Sequence, residues 1–271
     1  MCGVPMSRLE VREITDASGL GGYECLNRAA PQGSVFTSSI WAAYLGHQHR
    51  VIGVYKGLEL VGGAVVYEAG GGLLPIVPGT PWSGPISRSD DEGENIAVAT
   101  CLAQYLLRRY TDVTLTLPPE WVDVRGFTWA GMRSQVRYTY RGEDDSRYEK
   151  RLTFKPAIIS GNVIRDRNDE GDWWIVTAET GDTQVTTICD WRTVYYWKAN
   201  LGGSWHSECV DGLIKYAMRQ GRQFDLVGAN SPKRGLFKRQ FGGRLTPYYM
   251  VTTLDPRQIA ELWPPKEAQV A

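Results

Sequence analysis

Apolar and polar positions divide the chain into short strands and a few amphipathic helices. Arg8–Ile14 predicts a strand, and the stretch from Leu20 to Arg28 predicts a helix. Phe36-Thr-Ser-Ser-Ile-Trp41-Ala-Ala-Tyr44 is a short amphipathic piece. Ser38 or Ser39 is its natural N-cap, because a serine hydroxyl accepts from the first free backbone amides. His49–Lys56 and Glu59–Glu68 are apolar runs separated by Gly57-Leu58, which predicts a hairpin. Leu73–Val77 predicts a further strand. It leads into Pro78-Gly-Thr-Pro81-Trp82-Ser83-Gly84-Pro85, too rich in Pro and Gly for a strand interior and therefore a shaped loop. Ile96, Ala99, Ala103 and Leu106 recur at helical spacing, so Glu94–Tyr110 is predicted as a helix. Val113–Leu117, stopped by Pro118-Pro119, and Val136–Tyr140 predict strands.

From Arg141 to Asp172 the character changes: seven basic and eight acidic residues with few apolar ones. This stretch is predicted as a linker with at most one strand, near Arg151–Lys155. Trp173–Thr180, Gln184–Cys189 and Thr193–Trp197 then predict a second meander, turning at Gly181-Asp182. Val210, Leu213, Ile214, Ala217 and Met218 form the apolar stripe of a helix that ends at Gly221, a natural C′ residue. Phe224–Val227 predicts a strand, Leu236–Phe241 a short helix and Pro247–Thr253 a last strand. The order of helices, meander, long helix, strand, short helix and strand thus occurs twice, an internal repeat by pattern. The fold class expected is α/β (α+β): two tandem domains with mixed, largely antiparallel sheets. The boundaries expected are 1–145 and 146–271, the second domain trimmed because it lacks opening helices.

Composition sets the class. The 271 residues are 42% apolar and 22% charged, ordinary for a globular protein, and no stretch approaches the roughly 20 apolar residues of a membrane span. The N-terminus shows no apolar h-region, and the five cysteines (Cys2, Cys25, Cys101, Cys189, Cys209) have no paired spacing. A cytoplasmic protein with neither a disulfide framework nor a metal is the expectation. Thirty basic residues balance thirty acidic ones, but the balance is uneven. Lys215 to Arg244 holds eight basic residues and one acid, Asp225, a net +7 that leaves −7 for the other 241. Such a patch suits a phosphate backbone.

Two stretches carry more. One is Phe224-Asp225-Leu-Val-Gly228-Ala-Asn230-Ser-Pro232, followed by Leu236-Phe237-Lys238-Arg239-Gln-Phe241-Gly242-Gly243 and Pro247-Tyr248-Tyr249. The other is Phe36-Thr-Ser-Ser with Trp41, Val61-Gly62-Gly63 and Pro81-Trp82-Ser83-Gly84-Pro85. Together they resemble the Fem-type (FemABX-like) aminoacyltransferases, built from two tandem GNAT (N-acetyltransferase-like) folds, in a shortened stand-alone form. The resemblance spans most of Arg8–Thr253. It implies transfer of an aminoacyl group from aminoacyl-tRNA to a primary amine, with residues 1–145 on the acceptor side and 146–271 on the acyl-donor side.

By that resemblance Phe237 meets the 3′ end of the tRNA and Lys238 sits by the reacting ester, with Tyr248 near the reacting centre. An ammonium about 3 Å from a developing oxyanion stabilises it strongly where water is excluded. Lys233, Arg234, Arg239, Arg244, Asn200, Gly202 and Gly203 are the donor and tRNA candidates; Trp41, Tyr55, Lys56, Trp82, Ser83 and Gly84 are the acceptor candidates. No cofactor is expected beyond aminoacyl-tRNA as co-substrate. The acceptor expected is a small peptide or a carrier-protein-bound amine, in natural-product (antibiotic) or cell-wall peptide tailoring, because the shortened form lacks elements suited to a large lipid-linked precursor. The Lys198–His206 segment lacks the Q/R-x-x-G-x-G/A loop of acyl-CoA-dependent GNAT enzymes, although Gly202-Gly203 can form an anion-binding nest. An acyl-CoA-dependent N-acyltransferase and a non-catalytic binding module stay open as alternatives. His206, beside Trp205 at the start of the second long helix, Glu208 and Asp211 are candidate general bases; nothing in the spacing selects among them.

Overall fold

The computed structural model describes residues 9–142, 164–165, 173–200, 205–255 and 257–258. The chain divides into two compact units. Unit 1 comprises residues up to Val136 together with those from Tyr248 onward; unit 2 is Arg137–Pro247.

Unit 1 opens with β1 (Leu9–Ile14) and α1 (Ala17–Ala29), followed by a 3-10 turn at Val35–Thr37 and α2 (Ser39–Leu45). Asp16 caps α1 by accepting from Gly19 N–H, and Ser38 caps α2 by accepting from Ile40 N–H. β2 (His49–Lys56) and β3 (Glu59–Tyr67) form the expected hairpin. With β1 and the two-residue β5 (Ile86–Ser87) they make an antiparallel sheet in the order β1-β2-β3-β5. β4 (Leu73–Leu74), β6 (Asp112–Thr116) and the end of β13 (Arg244–Thr252) pair separately, β4 parallel and β13 antiparallel to β6. α3 (Glu92–Arg109) carries acids in its first turn and Arg108 and Arg109 in its last, complementing the helix dipole. Its stripe Val98, Ala99, Leu102, Ala103 and Leu106 is buried against Ile52, Val54, Ala64 and Val66 of the sheet and Val113 and Leu115 of β6. α4 (Arg125–Trp129) packs on α3 where Gly126 lacks a side chain; a Cβ there would stand 2.6 Å from the Ile96 carbonyl.

Unit 2 is one sheet in the order β7-β12-β11-β10-β9-β8. The strands are β7 (Arg133–Gly142, entering from unit 1), β8 (Ile164–Arg165), β9 (Trp174–Thr180), β10 (Thr183–Cys189), β11 (Thr193–Ala199) and β12 (Gln223–Asp225). β9, β10 and β11 are an antiparallel meander; β11 and β12 are parallel, so a crossover must join them, and α5 (His206–Arg219) supplies it. Val210, Leu213, Ile214 and Ala217 of α5 are buried over Val176, Ala178, Val185, Val194 and Phe224. α6 (Pro232–Arg239) follows β12 and leads to β13.

Several elements differ from expectation for local reasons. The strand predicted over Phe224–Val227 stops at Asp225, because Val227 takes a left-handed conformation, φ +47°. The helix predicted over Leu236–Phe241 begins earlier, since Pro232 presets the first helical φ, and ends at Arg239. Leu73–Val77 pairs only over Leu73–Leu74. β5 and α4 are too short for a periodic signal. The linker from residue 143, apart from β8, and the strand near Arg151–Lys155 lie outside the described residues.

Glycines set close approaches in unit 1. A Cβ on Gly63 would sit 2.4 Å from the Ile52 carbonyl, and one on Gly62 would meet Val98, so the Gly62-Gly63 pair serves packing. At Gly33 the same Cβ would lie 1.6 Å from the Asn27 carbonyl. Gly33→Ala is expected to lower the free energy of unfolding by about 1–3 kcal/mol, read as an earlier urea midpoint; an unchanged midpoint would show that the α1 to 3-10 connection relaxes freely.

Candidate functional site

In unit 2 the residues Asp225-Leu-Val-Gly228 form a turn built around two buried charges. The Asp225 side chain has no solvent exposure. It accepts from Thr139 Oγ1 at 2.5 Å, Arg141 Nε at 2.7 Å and the backbone N–H of Val227 at 2.8 Å. Three bonds to one carboxylate meet the requirement that a buried anion be fully partnered. The turn is also stitched to β7: Leu226 N–H donates to the Tyr140 carbonyl, Ala229 N–H to the Tyr138 carbonyl, and Tyr138 N–H to Asn230 Oδ1. Val227 and Gly228 both have left-handed φ, +47° and +54°. That conformation is unfavourable for a β-branched residue and persists only where the surroundings impose it.

Its result is a convergence of carbonyls. Lys238 reaches from α6 and donates through Nζ to the Leu226 carbonyl at 2.6 Å, the Gly228 carbonyl at 2.9 Å and the Val227 carbonyl between them. An ammonium has three donors, so this set is complete. Nζ also lies 5.2 Å from the centroid of the Tyr196 ring. Burial pushes the Lys238 pKa down to about 8, against the upward pull of Asp225 and with a further lowering from Arg234.

Beside it, the half-buried Phe237 stacks on His206 with ring centroids 4.8 Å apart and planes at 14°, and packs edge-on against Phe241. His206 Nε2 is 3.1 Å from the Tyr196 hydroxyl. Burial and then the Lys238 charge hold the His206 pKa below its usual range; burial raises that of Tyr196. The structure thus brings Phe237 and Lys238 together with Tyr196 and His206.

The basic patch is only partly outward. Lys233, Arg234, Arg239 and Arg244 are exposed. Lys215 pairs with Asp211, Arg222 lies over the Trp174 ring at 4.1 Å, and Lys238 is inside. Asn200 donates from Nδ2 to the Asp182 carbonyl, tying the end of β11 to the β9–β10 turn. Gly202 and Gly203 lie outside the described residues.

The remaining candidates are in unit 1. Trp41 and Trp82 are fully buried, joined by Phe36, and Tyr248 meets Trp82 edge-on at 5.3 Å. Trp41 Nε1 donates to Thr80 Oγ1. These rings pack on one another, so neither indole face is presented to solvent. Ser83 is half-buried with its N–H on the Thr116 carbonyl, and Gly84, φ +122°, lies against Ala64, where a Cβ would clash. Tyr55 carries Arg12 over its ring, and Lys56 is ion-paired to Glu94 at the surface. The structure gathers Trp41, Trp82 and Tyr248 into one cluster and gives Tyr55 and Lys56 other partners. The Phe36–Ser39 segment is held from α1: Glu24 accepts from Ser38 Oγ, Ser39 Oγ and Ser39 N–H, while Asn27 bridges Ser34 and Thr37.

Sequence reasoning missed Asp225, Thr139, Arg141 and Tyr196 as members of the site. Asp225 alone left a signal, as the single acid within the basic stretch. Among the described residues no group of three or more His, Cys, Asp or Glu side chains is placed to hold a metal, and no helix is long and apolar enough to cross a membrane.

Comparison with solved structures defines this two-unit α/β architecture. FemX superposes with a TM-score of 0.59 at 10% identity, covering 94% of this chain and 99% of that one. A tandem GNAT protein from the clavulanic acid biosynthesis pathway, solved without AcCoA, gives 0.51 at 10% identity over 91% and 98%. The C-terminal domain (DUF2156) of a putative lysylphosphatidylglycerol synthetase from Agrobacterium fabrum gives 0.50 at 9% identity over 89% and 95%. The chain has the Fem-like, tandem GNAT fold. No family model and no curated protein sequence matches it.

Two predictions test the turn. Val227→Gly removes left-handed strain and is expected to leave unfolding free energy unchanged or raised, whereas Gly228→Ala is expected to lower it by about 1–2 kcal/mol; the reverse order in urea titrations would refute the assigned backbone. For Lys238, the folded protein loses its proton near pH 8, while the unfolded chain keeps it to about 10.4. In that window the unfolded state binds more protons, so stability rises with pH. Below it both states are protonated and the full cost of burying the charge is present. Relative to Lys238→Met, the wild type is expected to gain roughly 3 kcal/mol across the window; a flat difference would mean an unperturbed lysine.

Proposed function

We propose that this chain is an acyltransferase that carries an aminoacyl group from aminoacyl-tRNA to the free amine of a small peptide or carrier-bound intermediate, forming an amide bond in natural-product or cell-wall peptide tailoring. The observation that carries the reading is a buried, positively charged Lys238 beside a half-exposed aromatic stack, on a helix whose outer face bears Lys233, Arg234 and Arg239. Transfer requires an amine nitrogen to attack an ester carbonyl, and the carbonyl oxygen gains negative charge as the C–N bond forms. A fixed cation in a site of low dielectric stabilises that charge without reorganising. Lys238 supplies such a cation. Its three protons are already held by carbonyls, so it acts first through its field; a direct bond to the oxyanion requires that oxygen to displace one carbonyl, such as that of Gly228.

The stack formed by Phe237 and His206 offers an aromatic face for a terminal base, a contact worth about 1–3 kcal/mol. The exposed cations of α6, with Arg244, suit phosphates, which makes binding salt-dependent. On the acceptor side the reading keeps the loop at Ser83 and Gly84, with Trp41, Trp82 and Tyr248 acting as its packed support. The Fem-type resemblance of the Phe237-Lys238 element supports tRNA as donor.

The test is incubation with a mixed pool of charged tRNAs and candidate amines, read by mass spectrometry. Amide product that disappears with RNase is expected, and Lys238→Met is expected to lower its rate by about 10²–10³-fold. RNase-insensitive acyl transfer from acetyl-CoA would replace the reading with an acyl-CoA-dependent enzyme. No transfer from either donor would make the chain a binding module, and a wild-type rate in Lys238→Met would remove the lysine from the mechanism.

A further inference from the structure

Amide formation from an amine leaves a proton to be placed, and Lys238, already carrying one, cannot take it. A group beside it that can is His206. Its ring is fixed on two sides: the face lies flat on Phe237, and Nε2 is 3.1 Å from the Tyr196 hydroxyl. One nitrogen of a neutral imidazole carries hydrogen, and the hydrogen bond made by the other decides which. The roles in this bond follow the tautomer: in the form with Nε2–H donating to the Tyr196 oxygen, Nδ1 keeps its lone pair. His206 is only half-buried.

The charges around it favour the neutral ring. Lys238 faces it from α6, Tyr196 from β11, with Arg234 acting on both of those, and Asp225 stands behind Lys238. Glu208 is on the same helix as His206. Burial and the adjacent ammonium both disfavour imidazolium, whereas Lys238, even lowered to about 8, is still protonated at neutral pH. At neutral pH the two neighbours therefore stand in different protonation states, the ammonium charged and the ring able to accept a proton.

We propose that His206, oriented by Tyr196 and Phe237, accepts the proton of the attacking amine through Nδ1. This rests on the acyl-transfer reading and deepens it. The amine arrives as its ammonium ion; Nδ1 takes one proton from it and passes that proton on to water, and the freed nitrogen forms a bond to the ester carbonyl carbon. The tetrahedral intermediate then expels the ribose oxygen, which leaves with the surplus proton of the nitrogen, so the ring ends neutral and one ammonium ion and one ester give one amide, one alcohol and one proton. Tyr196 is a positioning residue that holds the tautomer.

Two measurements test this. Nitrogen-15 imidazole shifts report the tautomer in the free protein; with three histidines in the chain, His206 is identified by its loss in His206→Asn. The Nε2–H form is expected, its titration midpoint moving up in Lys238→Met; the Nδ1–H form in the wild type would overturn the proposal. The second is transfer from charged tRNA to two acceptors, an alkyl primary amine, cationic at neutral pH, and hydroxylamine, which is neutral there. His206→Asn is expected to slow transfer to the alkyl amine by about 10²-fold, recovering as pH rises, and to change transfer to hydroxylamine only a few-fold. Tyr196→Phe is expected to show the same selectivity, more weakly. Equal loss with both acceptors means that the ring only packs, and no loss means that it takes no proton; either overturns the proposal while the acyl-transfer reading stands. A wild type inactive with both acceptors overturns both.

Discussion

The Asp225 carboxylate is the constraint on which unit 2 depends. Removing an anion wholly from water costs several kcal/mol after relaxation, and the protein offsets this with Thr139, Arg141 and the Val227 amide. Because the last of these is a backbone group two residues along, the compensation dictates the path of the chain. It turns Val227 into a left-handed conformation, ends β12 at Asp225 and aims three carbonyls at one point. The ammonium of Lys238 then neutralises those dipoles. A hydrocarbon pair in place of Asp225 and Arg141 would serve stability as well or better, but it would not specify this turn. The buried ion pair is better understood as a device for geometry than as a source of stability.

The same logic explains how far the site was legible beforehand. Most strands and all the long helices announced themselves through periodicity and caps, because one-sided burial imposes a pattern on consecutive residues. Ser38 as an N-cap and Gly221 after the second long helix were readable for the same reason: the cause lies within a few positions of the effect. The Phe237-Lys238 pair was visible as a motif, but its surroundings were not. Thr139 and Arg141 approach Asp225 across 86 and 84 positions, and no local pattern encodes such a meeting. The strand predicted over Phe224–Val227 loses its end because the Val227 amide turns back to the Asp225 carboxylate two residues earlier.

Trp41 and Trp82 show the opposite case. Aromatic residues in Pro- and Gly-rich surroundings suggest a surface that grips a ligand, yet both are packed edge-on through Phe36 and, for Trp82, Tyr248. Both belong to the buried packing of unit 1. The Ser83–Gly84 loop lies close to the sheet because Gly84 has no side chain to meet Ala64. Shape there is set by what is missing as much as by what is present.

The division of the chain carries a consequence for its synthesis. β6 pairs through Thr114, Leu115 and Thr116 with Thr252, Val251 and Met250, more than 130 positions further along. A ribosome therefore finishes all of unit 2 before the strand that completes unit 1 emerges. Until then β6 presents an unpaired edge, the feature most prone to join a second chain. Unit 2 is thus inserted between the two parts of unit 1. Any graft or truncation near residue 247 leaves unit 1 as an unfinished sheet.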